Sequence, residues 1–203
     1  MRLPLLTAMF LVFIVWLQYE IRKASRISKN STDYFWQKEK DANLSRRADI
    51  SELDFITVMT DRLPMQDHTD QTINSYRDTI KKLSGQKIIN LSGLTNTDLK
   101  YQYGTANLKL LTEYDNNYTV LVSILQKWAE RLYVQSSIED CILVLEYAVS
   151  CHTDVSKSYL LLADIYKKQY SSEKITELID RIPETKLRNR DKLVKQLEAV
   201  KNS

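Results

Sequence analysis

The chain opens on a long apolar run, MRLPLLTAMFLVFIVWL, and turns polar only after Leu17. From Leu3 to Leu17 the run is fifteen residues, against the ~20 that a helix rising ~1.5 Å per residue needs to cross ~30 Å of hydrocarbon. Extending it through Gln18, Tyr19, Glu20 and Ile21 gives nineteen, with Trp16 and Tyr19 at interfacial depth. The expected element is one N-terminal transmembrane helix in contact with the lipid bilayer through residues 3–21, inside an anchor over 1–23. A cleaved signal peptide shares the apolar core, but it requires small residues at its cleavage site, and here aromatic and charged residues follow instead. Arg22, Lys23, Arg26 and Lys29 outnumber the basic groups before the span, so the positive-inside tendency favours a cytoplasmic body on a single-pass membrane protein. A short basic N-terminus retained inside would give an outward-facing anchored domain.

Beyond the anchor the pattern divides into a juxtamembrane segment, 24–65, and a helical domain, 66–203. The stretch from Ser31 through Tyr34, Phe35, Trp36 and Lys38 to Arg47 predicts a helix capped by Ser31 or Thr32. Ile50, Leu53, Phe55, Ile56 and Val58 are too apolar for a free linker and predict a segment, extended or strand, that packs on the domain. Ile73, Tyr76, Ile80 and Leu83 recur at spacings of three and four and predict one amphipathic helix, with Gly85 placed for a left-handed cap. A second helix is expected from Thr97 through Leu111, ending at Asp115, Asn116 and Asn117. Gly104 inside it implies a close helix approach.

Between Tyr118 and Pro183 two helical hairpins superpose at an offset of 34 residues. Leu125, Trp128, Ala129, Leu132, Cys141, Leu145 and Ala148 align with Tyr159, Leu162, Ala163, Tyr166, Ile175, Ile179 and Ile182. This period resembles the tetratricopeptide repeat, with the best units at about 122–155 and 156–189. Ile175 and Ile182 stand where that family has small residues, and Thr153 and Asp154 replace its closing proline in the first unit. Pro183 closes the second, and Leu187, Leu193, Leu197 and Val200 supply a last amphipathic helix. The resemblance implies an all-α fold of antiparallel hairpins stacked as a short solenoid, binding a protein partner on the face of the first helices. Gln126, Glu130, Tyr133, Lys157, Asp164, Lys167 and Lys168 are then the partner-binding candidates.

Composition narrows the chemistry. Three glycines and three prolines in 203 residues leave few helix breakers, and a net charge of +3 with interleaved acids and bases is unlike the basic stripe of a nucleic-acid binder. Cys141 and Cys151 would lie ~15 Å apart along one helix, too far for a disulfide, and read as buried thiols. His68 and His152 have no neighbouring ligands at helical or turn spacing, and no glycine-rich phosphate loop occurs. Cys151 beside His152 lacks an orienting partner. Asn-x-Ser/Thr triplets at Asn30, Asn43, Asn90 and Asn117 matter only in a glycosylating lumen. The expected protein is therefore non-enzymatic, without metal, cofactor or small-molecule substrate: a membrane-anchored adaptor, or alternatively a structural subunit or assembly factor of an integral membrane complex.

Overall fold

The computed structural model describes residues 3–182 and 189–202, as backbone alone at 3–8, 11, 15 and 21–31. Pro183, Leu187 and the Ser203 terminus lie outside the described residues. Every regular element among the described residues is helical, and two compact units are formed by 1–48 with 96–106 and by 49–95 with 107–203.

The first unit holds α1 (Leu3–Asn43) and α3 (Asn96–Tyr103). The expected transmembrane helix is corrected here. Among the described residues no helix is long and apolar enough to cross a membrane. The apolar run is the front of a 41-residue helix that becomes polar after Leu17, and fifteen apolar residues rise only ~22 Å. Reaching nineteen recruits Gln18 and Glu20, which hydrocarbon disfavours. The single-pass location with a cytoplasmic body falls with the span. The separate helix start expected at Ser31 is likewise absent, because α1 passes through it unbroken.

The last turns of α1 are tied to α3 by charge and close backbone approach. Lys38 Nζ lies 2.6 Å from Asp98 Oδ1, while Glu39 accepts from Thr97 Oγ1 at 2.7 Å and pairs with Lys100. The Lys100 and Thr97 bonds hold the Glu39 carboxyl below its ordinary range. Ala42 is fully buried, and Ala48 N–H donates to Tyr103 O at 3.1 Å. Gly104 sits after α3, not inside a longer helix, with φ +81°; a Cβ there would come within 2.8 Å of Arg46 C and Arg47 Cα. Close approach is therefore real, but between a turn and the α1 exit.

The second unit holds α2 (Gln71–Leu83), α4 (Leu108–Val134), α5 (Ile138–Ser150), α6 (Ser156–Lys168), α7 (Ser172–Asp180) and α8 (Arg190–Asn202). On α2 the apolar spacing buries Ile73, Ile80 and Leu83 and half-buries Tyr76. Its N-cap, Asp70, accepts from Thr72 N–H at 2.8 Å and also from Arg131 Nε of α4 and Nε2 of Gln135, the residue that caps α4, each at 2.6 Å. One carboxylate thus satisfies a helix end and joins two helices. Gly85 is not left-handed: α2 closes at Ser84 in a right-handed conformation.

Asp115–Asn117 lie within α4 and do not break it. The Asp115 and Asn117 side chains find partners outside the helix, which removes the local competition that makes Asp and Asn poor helix residues. Asp115 Oδ1 accepts from Leu91 N–H at 3.0 Å, and Asn117 Nδ2 donates to Lys87 O at 3.0 Å. The connection between Gln86 and Thr95 is held down in this way, with Ile88, Ile89 and Leu91 buried. The preceding 50–59 stretch docks in the same unit through Ile56 N–H to Ile88 O and Met59 N–H to Tyr147 Oη, each 2.8 Å. Phe55 packs edge-on against Tyr114, with Lys87 Nζ over both rings.

Candidate functional site

The hairpins α4–α5 and α6–α7 differ in helix length, α4 running 27 residues against 13 for α6, but share a spacing at their turns. α5 and α7 begin 34 residues apart, at 138 and 172, and so do α6 and α8, at 156 and 190. Each hairpin turn is a Schellman cap: Ser136 N–H bonds Tyr133 O and Ser137 N–H bonds Leu132 O, as Tyr170 bonds Lys167 O and Ser171 bonds Tyr166 O. The left-handed position that such a cap requires is held by Ser136 at φ 62° and Tyr170 at φ 56°, neither of them glycine. His152 at φ 53° closes α5 in the same way.

All seven aligned positions of the first hairpin are buried, as are six of the second, Ile179 being half-buried. Ala129 and Ala163 are the small residues where helices meet, both at 0% exposure, and Cys141 Sγ donates to Ala129 O at 3.3 Å. Tyr118 and Tyr159 direct their hydroxyls onto the α5–α6 connection, to His152 O at 2.7 Å and Thr153 O at 3.1 Å.

The candidate residues fall into two groups on the first helices of the hairpins. Tyr133, Asp164 and Lys168 are brought together: Lys168 Nζ is 2.7 Å from Asp164 Oδ2 and 2.6 Å from Tyr133 Oη, and it stands 5.4 Å from the centre of the Tyr133 ring. The bonds to Asp164 and Tyr133 raise the Lys168 ammonium above its ordinary range, so the group stays charged. Beside it lies a groove of about 480 Å³ walled by Ile138, Ile165, Ser136 and Gln169. Gln126 and Glu130 form the second group, Gln126 Nε2 donating to Glu130 Oε1 at 2.9 Å while Gln126 Oε1 accepts from Ser158 Oγ. Gln126 is buried, which makes it a strut between α4 and α6 and leaves Glu130 as the outward member. Lys157 and Lys167 are exposed on α6.

Sequence reasoning misses Tyr170. It is 96% exposed, the most exposed large hydrophobic side chain among the described residues. It also misses the network in which Glu146 accepts from Tyr166 and pairs with Arg181 at 2.7 Å. Burial pushes the Glu146 carboxyl up, but those two bonds prevail and hold it below its ordinary range. The one signal available was a single carboxylate inside the apolar run of α5.

The Cys151–His152 pair is not arranged for nucleophilic chemistry. Burial pushes the Cys151 thiol up to about 11, while His152 is exposed on its left-handed turn; a protonated, buried thiol is inert. Among the described residues no three His, Cys, Asp or Glu side chains are grouped to hold a metal ion. Around the hairpin turns the surface carries exposed Val134, Lys167, Lys168 and Tyr170. No family model, curated protein or solved structure matches the chain.

Proposed function

We propose that this chain is a non-enzymatic protein-binding module, built on tetratricopeptide-like hairpins, that takes its partner on the surface made by α4, α6 and the two hairpin turns. The observation that carries the reading is Tyr170. A left-handed backbone costs a non-glycine residue ~1–2 kcal/mol, and full exposure of a tyrosine ring returns none of that through burial. The hairpin cap accounts for the backbone but not for the ring, which leaves the exposed side chain available for a role outside the fold. Tyrosine is enriched at interface centres because its ring offers large contact area and a polar tip. The same two hairpin ends also carry Val134, 74% exposed, and the Tyr133–Asp164–Lys168 cluster, whose mutual bonds fix the side chains before any partner arrives and so lower the ordering cost of association. The 34-residue offset in both buried positions and turn geometry supports the family resemblance.

The test is site-specific photo-cross-linking from the full chain in its cells of origin. A photoreactive residue at 167 or 170 is expected to trap one discrete protein, and the same residue at Lys174 on α7 is expected to trap none. Equal trapping from all three positions, or trapping from 174 alone, would overturn the proposed face.

A further inference from the structure

A separate cavity of about 440 Å³ lies between the 61–68 segment, α2 and the α4–α5 hairpin. Arg77 and Trp128 line it, and both are buried, at 3% and 0% exposure. Burying a guanidinium is costly unless a carboxylate compensates it. Among the described residues its one carboxylate partner, Asp67, is fully exposed and 3.4 Å away, a pair weakened by solvent. Arg77 Nη2 makes that contact and a bond to Asn74 Oδ1; no bond from Nε or Nη1 exists among the described residues. No protein acceptor reaches Trp128 Nε1–H either. The walls between these donors are apolar, made by Leu63, Pro64, Leu132 and Leu143.

We infer that this cavity binds a compact monocarboxylate with an apolar body. The planar Arg77 fork matches a carboxylate, the indole N–H supplies a further donor, and the aliphatic walls take the hydrocarbon. The volume is in the range of small-ligand pockets, about 300–1,000 Å³. Asp61, Asp67 and Asp140 in the lining outnumber Arg62 and Arg77, a balance that favours a single negative charge over a dianion such as phosphate. This site goes beyond the protein-binding face proposed above and does not rest on it. It also departs from the sequence expectation of no small-molecule ligand.

The experiment is an NMR titration of the full chain with hexanoate, hexanol and hexylamine, read at the Trp128 indole N–H, assigned through Trp128→Phe. Trp16 and Trp36 are exposed and serve as internal controls. Hexanoate is expected to shift the Trp128 resonance saturably, and hexanol to bind about tenfold or more weakly, the loss of a charged hydrogen bond. Leu143→Glu, at a half-exposed wall position that the core does not need, is expected to weaken hexanoate by a similar factor. Tighter binding of hexylamine would show that the rim aspartates rule the cavity and would overturn the inference. So would equal binding of hexanol, or no Trp128 response to hexanoate.

Discussion

Ser136 and Tyr170, 34 residues apart, close successive hairpins with the same left-handed backbone and the same pair of capping bonds. Because glycine adopts that conformation without the Cβ clash, Ser136→Gly is expected to stabilise the protein by up to ~1 kcal/mol. Tyr170→Gly is expected to do the same while weakening partner capture at position 167. Urea midpoints and cross-linking yield read the two effects separately. A Tyr170→Gly protein that is less stable would show that the ring contributes to the fold and not to a partner.

Ala129 lies where α4 meets α5. With no exposed surface and its carbonyl bonded to Cys141 Sγ, it leaves no room for added methylenes. Ala129→Leu is expected to cost ~1–3 kcal/mol by overpacking, measured by denaturant unfolding. A neutral effect would show that the hairpin interface is looser than described.

Gly104 combines a positive φ with backbone atoms of Arg46 and Arg47 where a side chain would stand. Gly104→Ala is expected to destabilise the first unit by more than ~1 kcal/mol, and Gly85→Ala, where the backbone is not left-handed and a Cβ would meet only Lys82 O at 4.0 Å, to be neutral or mildly stabilising. Amide hydrogen exchange in α3 separates the two, with faster exchange in the Gly104 variant only.

Acid sensitivity should trace to Asp70. Its bonds from Arg131 and from Thr72 N–H lower the carboxyl from 3.8 to about 2. A group whose folded value is depressed adds stability above its unfolded value, lost as pH falls through the folded one. The Asp70 contribution is therefore full above about pH 4 and disappears toward pH 2. Asp70→Asn should be less stable than the parent at pH 7, with the difference shrinking across that window. A difference independent of pH would mean that the cap acts through geometry alone.

Both thiols should be silent in the folded protein. Burial pushes Cys141 up to about 12 and Cys151 up to about 11, so a thiol reagent at pH 8 is expected to modify neither until denaturant is added. Fast labelling of Cys151 would show that its pocket opens.

Helix faces were legible in the sequence because burial there follows a local period: Ile73, Ile80 and Leu83 on α2, and the paired hairpin positions, sit where the spacing puts them. The continuous α4 was not legible, since Asp115 and Asn117 are turn formers until one knows that Leu91 and Lys87 take their bonds. The anchor failed on length, a fifteen-residue apolar run stretched by polar residues. Of the site, Tyr133, Asp164 and Lys168 were named singly, but their union depends on how α4 packs on α6, which no spacing of 31 or 35 residues encodes. Tyr170 was missed because a left-handed turn normally announces itself through glycine or asparagine.

Partner binding on the face made by α4, α6 and their turns is tested by hydrogen exchange of the full chain, alone and with the partner trapped from position 170. Slowed exchange is expected across 124–137 and 156–171, with α7 and α8 unchanged. Protection confined to α7 and α8, or none in the second unit, would contradict it.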